Sequence, residues 1–412
     1  MTRVESWIPD EPLPFGVIAE APADHEVSQA IIAATEGRRC PGPLVGPSGW
    51  RHENALREAA RAAGVEIDRR DVAHLNVFDV QLPTVVRNGK PTKNCLDPLM
   101  TDRVTMQASA AAWIAENRAE PPAGAFATTL QTVVRQPLQR RYLAREHWHH
   151  LVRLWTEVAA LRDRGVTWYV LYGATAYWAM TGRDDFAEAK GHIQGCVVEG
   201  IYIIPTWHPA FTFHQQSALS TMADHVAKVV RNAMGGEAAL GEPIVWVPET
   251  PDELRRLIVE YVAGRPEIAW DAEWSIIKRD TEETDELPRP GSRDDLVVTS
   301  IQLCADGVNS IVVPFSWRSG CWWRTAEAQV AVMAMLHELN DSPARNVWHN
   351  GLNSDAHVLL SELDILIRVD EDTLLMAHAL NPGAPKGLTD VVGTYLNGNS
   401  WKFKRRFNKR DE

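Results

Sequence analysis

Over the first 235 positions, apolar and polar residues fall into blocks that switch between strand and helix periods. Residues 15–19 (FGVIA) make a short unbroken apolar run ending in the turn-prone EAPAD. Such a run predicts a strand covered on both faces. Residues 52–63 carry Ala and Arg at helical spacing and stop at Gly64, a residue suited to a helix end. By the same reasoning strands are predicted at 72–80, 167–172 and 201–205, and helices at 138–164, 174–180 and 217–234. Strands separated by helices imply an α/β layered domain with its site at the carboxyl ends of the strands.

Residues 236–243 (GEAALGEP) are small and polar and predict a linker. Beyond it the pattern restarts. Strands are predicted at 244–247, 268–270, 296–304, 310–315 and 346–349, with a hairpin turning at Asp306-Gly307. Helices are predicted at 251–263, capped by Thr250, and at 326–339 and 354–363. Residues 279–293 are acidic and Pro-rich and fit a solvated insertion. The expected organisation is two α/β domains, 1–235 and 244–412.

Composition narrows this picture modestly. The length of 412 residues suits two domains, and a hydrophobic content of 45% excludes wholesale disorder. With 42 Lys+Arg against 54 Asp+Glu, the net charge of −12 argues against a generally polybasic nucleic-acid binder. It leaves room for a nucleic-acid enzyme, which concentrates positive charge locally and keeps carboxylates for metals. The five cysteines, Cys40, Cys95, Cys196, Cys304 and Cys321, form no C-x-x-C pair, so reduced thiols are expected. The N-terminus lacks a signal peptide's apolar core, and the most apolar stretch, 166–180, is too short to span a bilayer. A cytoplasmic protein with no membrane partner is expected.

The chemistry of the second half begins at Asp271-Ala272-Glu273, which follows the apolar run 268–270. Strand alternation puts both carboxylates on one face, where they repel unless cations sit between them. Downstream, Trp348-His349-Asn350 leads into Asp355 on the first turn of a helix, and Asp372-Thr373 opens another. This ordered set resembles the 3′–5′ exonuclease domain of family A DNA polymerases, across roughly residues 243–412. In that family a Tyr-x-x-x-Asp motif supplies the fourth metal carboxylate; here Phe407 to Asp411 fits, with Phe in place of Tyr. The resemblance implies an RNase H-like fold and two Mg²⁺ or Mn²⁺ ions held by Asp271, Glu273, Asp355 and Asp411. Asn350 would contact the substrate, the 3′ end of single-stranded or primer DNA. It also implies a polymerase domain or subunit as partner and a bacterial or phage-infected cell as the setting. Phe407 cannot orient a water as the tyrosine would, and the chain ends one residue after Asp411.

In the first half, Glu20-Ala21-Pro22 follows the first strand, and Pro43-Leu44-Val45-Gly46 with Gly49 opens a helix. Leu75-Asn76-Val77, Tyr172-Gly173-Ala174-Thr175-Ala176 and Thr206-Trp207-His208-Pro209 lie at later strand ends. In this order they resemble the uracil-DNA glycosylase superfamily, most closely its iron–sulfur branch, over roughly residues 14–234. The resemblance implies an α/β/α sandwich and extrusion of a deoxyuridine into a pocket, followed by hydrolysis of its N-glycosidic bond. Glu20 would orient or activate water, Asn76 would read the uracil edge, and His208 would hydrogen-bond the uracil oxygen as charge develops. Pro22, Leu44, Gly46 and Trp207 would line the pocket. The branch's four cluster cysteines are missing, with Val80 at one of their places, so no iron–sulfur cluster is expected. Leu44 replaces the aromatic residue on which uracil would stack, and 81–83 lacks the family's arginine. The alternative is a pocket that binds uracil or DNA without cutting it, beside an exonuclease left weak without the missing C-terminal part.

Three further features have ordinary readings. His147-Trp148-His149-His150 lacks a completing ligand nearby and is expected on a solvated helix face. The arginines between 132 and 164 are expected on such a face too, with a phosphate-contacting stripe as the alternative. Trp317, Trp322 and Trp323 cluster in one loop, which could stack bases or pack beneath itself.

Overall fold

The computed structural model describes residues 4–21, 44, 47–87, 90–92, 95–116, 126–235, 244–276, 296–317 and 320–396. The expected linker 236–243 and insertion 279–293 lie outside them. The chain divides into two compact units: residues 1–239 together with residues from 383 onward, and residues 240–382.

In the first unit β1 (Phe15–Ala19) is followed by α1 (Pro47–Ala63) and β2 (Ala73–Asn76). Next come α2 (Arg103–Glu116), α3 (Ala127–Val134) and α4 (Trp148–Arg162). The unit continues with β3 (Trp168–Tyr172), α5 (Gly173–Thr181), β4 (Gln194–Gly195), β5 (Tyr202–Thr206) and α6 (Ser217–Ala233). The sheet order is β2-β1-β3-β5-β4, with β4 alone antiparallel to its neighbour. Both faces are covered, which explains the unbroken apolar run of β1. Phe15, Val17 and Ala19 pack under α1 and α6, against Leu56, Met222 and Val226. Ile18, with Tyr169 and Leu171 of β3, faces α4 and α5 through Trp155, Tyr177 and Trp178. The unit is therefore an α/β/α sandwich, as expected.

Two expected elements are shorter than their sequence pattern. The long helix over 138–164 starts only at Trp148. Before it, Gln139 and Arg140 both have positive φ (51° and 68°) and turn the chain between the bridged pair Leu138 and Arg141. Two consecutive left-handed residues end any helix, and nothing in the apolar period signals them. The strand over 72–80 stops at Asn76 because residues 77–79 bend away.

The second unit runs β6 (Val245–Trp246), α7 (Pro251–Leu257), β7 (Glu267–Ile276), β8 (Leu296–Cys304) and β9 (Ser310–Pro314). It continues α8 (Ala326–Asn340), β10 (Arg345–Trp348), α9 (Asp355–Leu363), β11 (Glu371–Asp372) and α10 (Thr373–Leu380). The sheet order is β6-β9-β8-β7-β10-β11. β7, β8 and β9 form an antiparallel meander, while β10 and β11 add parallel strands on the other side of β7. This is the RNase H-like arrangement expected for the second half. The expected hairpin is present, and Asp306 accepts the Val308 and Asn309 amides at 2.9 and 2.7 Å in its turn. Trp323, 2% exposed, packs in this unit's core, and Trp322 donates its indole N–H to Pro248 O. Packing thus accounts for these two tryptophans.

After Pro382 the chain returns to the first unit as α11 (Leu388–Tyr395), where a single run 244–412 was expected.

Ile301 of β8 is fully buried, and Val330 of α8 is 68% exposed. Ile301→Ala should cost about 2–5 kcal/mol of stability, and Val330→Ala under about 0.5 kcal/mol. Urea unfolding of the two variants checks the assignment, and equal losses would contradict it.

Candidate functional site

The second unit brings its carboxylates together from two elements. On β7, Ile268, Trp270 and Ala272 enter the core, so alternation turns Asp271 and Glu273 to the exposed face. Trp270 stacks on Trp348 of β10 with ring centroids 5.7 Å apart, and its indole N–H donates to Asn346 Oδ1 at 2.9 Å. These contacts hold β7 beside β10. Their pairing runs out at Ala269–Val347, and farther along β7 the Ala272 amide donates to the Asp355 carboxylate.

Asp355 is the first residue of α9 and is 5% exposed. Burial, and then the charges of Asp271 and Glu273, push its pKa up to about 6. The three carboxylates therefore act on one another at one place on the sheet. Among the described residues, however, no three His, Cys, Asp or Glu side chains stand close enough to hold a metal ion. Asp271 and Glu273, just past the last β7–β10 pair, and Asp355 feel one another's charge without closing into a ligand set. Asp411 lies outside the described residues.

The turn from β10 into α9 is fixed by a residue that sequence reasoning placed only at a helix start. Asn350 has φ +63°, and its amide donates to Asp372 Oδ1 at 2.9 Å. The same oxygen accepts the Leu374 amide at 2.9 Å and so caps α10. The His349 ring meets Thr373 Oγ1 at 2.8 Å. A Cβ on Gly351 would stand 2.6 Å from Trp348 Cβ, so only glycine fits there. Asp at an N-cap was visible in the sequence; its second role, 22 residues back, was not.

In the first unit the expected residues sit at the carboxyl ends of parallel strands. Glu20 follows β1, Asn76 ends β2 and His208 follows β5. The Thr175 hydroxyl of α5 donates to the Glu20 carboxylate, and burial raises the Glu20 pKa. Asn76 is 2% exposed, and its Nδ2 has no hydrogen-bond partner among the described residues. His208 Nδ1 accepts the Ala210 amide at 3.1 Å, which leaves the ring proton on Nε2. Burial lowers the His208 pKa to about 4, so the ring is a neutral N–H donor at neutral pH. The His208 and Tyr172 rings meet edge to face at 6.2 Å. Trp207 is already clad: Phe211 stacks on it at 4.6 Å and the Lys190 ammonium lies 3.8 Å from its ring. Leu44 is 4% exposed at φ +61°, packed in the core beneath α1, and its carbonyl accepts from Arg69. Pro22 and Gly46 lie outside the described residues.

Two supports of this end were not foreseen. His150, expected on a solvated face, is 3% exposed and stands 2.8 Å from the Asp79 carboxylate. Its neighbour one turn along, Arg153, donates to the carbonyls of Asn76 and Val77 and to Glu157. Arg153 thus fixes the loop behind Asn76 and leaves the supposed arginine stripe. Between the sheet and α1, Tyr172, His52 and His74 form a buried chain. His74 Nδ1 meets Val72 O at 2.8 Å, His52 Nε2 meets His74 Nε2 at 3.0 Å, and the Tyr172 hydroxyl meets His52 Nδ1 at 2.7 Å. A carbonyl only accepts, so each proton is assigned in turn: His74 donates to Val72, His52 to His74, and Tyr172 to His52.

No family model matches the chain, and no curated protein does. Among solved structures, Trypanosoma brucei RNase D with GMP aligns at 15% identity over 33% of this chain and 35% of that one, with TM-score 0.23. The same enzyme with RNA U12 aligns at 16% identity over 34% and 40%, with TM-score 0.23. The EXD2 exonuclease domain soaked in Mg aligns at 17% identity over 41% and 75%, with TM-score 0.21. The chain thus spans well under half the length of the RNase D chains it matches. Among the described residues no helix is long and apolar enough to cross a membrane.

Burial also lowers the pKa of His52, His74 and His225, the last to about 3. Below pH 6.5 the unfolded chain protonates these rings and His208 while the folded chain does not, so stability falls with pH. Each ring contributes a slope of up to about 1.4 kcal/mol per pH unit. The raised carboxyls of Glu20 and Asp224 oppose this but are fewer. The urea midpoint of the first unit should drop between pH 7 and pH 5; a flat profile would contradict the neutral chain.

Proposed function

We propose that the second unit is a divalent-metal-dependent 3′–5′ exonuclease acting on single-stranded DNA or a primer end. One observation carries the reading: Asp355, buried at the start of a helix and bonded to the Ala272 amide, feels the charges of Asp271 and Glu273 on either side of Ala272 in β7. Like charges so placed repel, and a divalent cation with oxygen preference is the partner that offsets them. All-oxygen carboxylate donors suit Mg²⁺ or Mn²⁺ in their chemistry, and on this reading Asp271, Glu273 and Asp355, with Asp411 as the fourth candidate, would draw together around the ion. Such ions would activate a water and stabilise the leaving 3′-oxygen. The water would attack phosphorus, the P–O3′ bond would break, and a nucleoside 5′-monophosphate would leave.

The chain's own residues set the geometry for this. The Ala272 amide and the helix start fix the Asp355 carboxylate, while Asp372 fixes the turn bearing Asn350, our candidate contact to substrate. DNA as the substrate and a polymerase domain or subunit as partner rest on the sequence resemblance.

A second reading concerns the first unit, where the neutral His208 donor, the Asn76 amide and buried Glu20 occupy one sheet end. Together they suit excision of a base from uracil-containing DNA, His208 donating to the oxygen that gains charge and Glu20 placing water. A pocket that holds uracil without cutting is the alternative.

With Mg²⁺, a 5′-labelled single strand should shorten stepwise from its 3′ end. Asp271→Asn with Glu273→Gln should slow this by about a hundredfold or more, the scale of losing transition-state electrostatic contacts. Shortening without metal, or unaffected by the substitutions, would refute the exonuclease. For the first unit, uracil-containing DNA should acquire alkali-labile sites that His208→Ala suppresses. Retained binding without such sites would favour the non-cutting pocket.

A further inference from the structure

Lys228 of α6 is fully buried. Its ammonium donates to Gly191 O at 2.8 Å, to Gly393 O at 2.9 Å and to Leu396 O. The last two carbonyls close the C-terminal end of α11, where a cation is favoured by the orphan carbonyls and the helix dipole. The backbones also touch. A Cβ at Gly191 would stand 2.7 Å from Gly393 O and 2.4 Å from His225 Nε2, and one at Gly393 would stand 2.9 Å from Lys190 O. Segment 190–192 is thus pressed between α11 and α6.

From that segment three contacts reach the residues just before His208. The Gly191 amide donates to Pro205 O at 2.9 Å. His225, against Gly191, hydrogen-bonds Thr206 Oγ1 at 2.8 Å. Lys190, which feels the charge of Asp390 on α11, lies over the Trp207 ring. Pro205, Thr206 and Trp207 set the direction in which His208 leaves β5.

We infer that residues 383–396 are a positioning element of the first unit's site. By holding segment 190–192, α11 holds the loop that aims His208, although the chain reaches α11 only after passing through the second unit. This inference rests on the reading that the first unit acts on a base in DNA. Its test carries one readout that does not.

The full-length protein with Gly393→Val displaces α11 without touching either proposed site. Hydrogen exchange across 202–208 should accelerate about tenfold or more, with 268–276 unchanged. Uracil release in single turnover should slow about tenfold or more, the scale of small misplacements of a reacting group, while uracil-DNA affinity and 3′ shortening hold. If Gly393→Val does not fold, Asp390→Asn replaces it, with a smaller change in the same direction expected. Exchange across 202–208 that stays at the unaltered rate while α11 itself loosens would overturn the inference. If the unaltered protein neither releases nor binds uracil, the base-acting reading fails, and the exchange measurement still decides whether α11 holds the loop.

Discussion

Placing the Asp355 carboxylate at the edge of β7, in the field of Asp271 and Glu273, is the arrangement on which the second unit turns. It concentrates negative charge where β7 has stopped pairing with β10, and burial makes the charged form of Asp355 costly. A fold tolerates this when something fixes the acid and something else offsets the charge. The Ala272 amide and the first turn of α9 do the fixing. Offsetting is the task that a bound divalent ion would perform, which links the stability of this corner to its proposed chemistry.

The surrounding architecture serves the same end. The Trp270–Trp348 stack and the Trp270–Asn346 bond set β7 against β10. Asp372 then fixes the turn through Asn350, so the start of α9 arrives at a defined place. The first unit follows a comparable plan with different chemistry. Its candidate polar groups end parallel strands, and a chain of neutral imidazoles runs through its interior.

Local periodicity made much of this legible in the sequence. The strand at 15–19, the D-x-E on β7 and the hairpin at Asp306 each depend on residues within a few positions of one another. What escaped depends on distance. His150 reads as part of a solvated histidine run until Asp79, 71 positions away, is brought against it by the fold. Arg153 reads as a surface arginine until the Asn76 loop closes on it. Lys228 sits in an amphipathic helix like any lysine, and only the return of α11 supplies two of its carbonyl partners. The break at Gln139–Arg140 was missed for another reason: left-handed backbone at two non-glycine residues leaves no mark in an apolar pattern. Glu20, Asn76, His208, Asp271, Glu273 and Asp355 could be named as candidates from local motifs, and the contacts that hold them in place could not.

The proposed exonuclease requires the carboxylates around Asp355 to hold a divalent ion. Calorimetric titration of Mn²⁺ into the full-length protein and into Asp355→Asn tests it most directly. Saturable binding in the unaltered protein, weakened about tenfold or more by the substitution, is the predicted result. Binding of equal strength in both proteins, or none in either, would contradict the account.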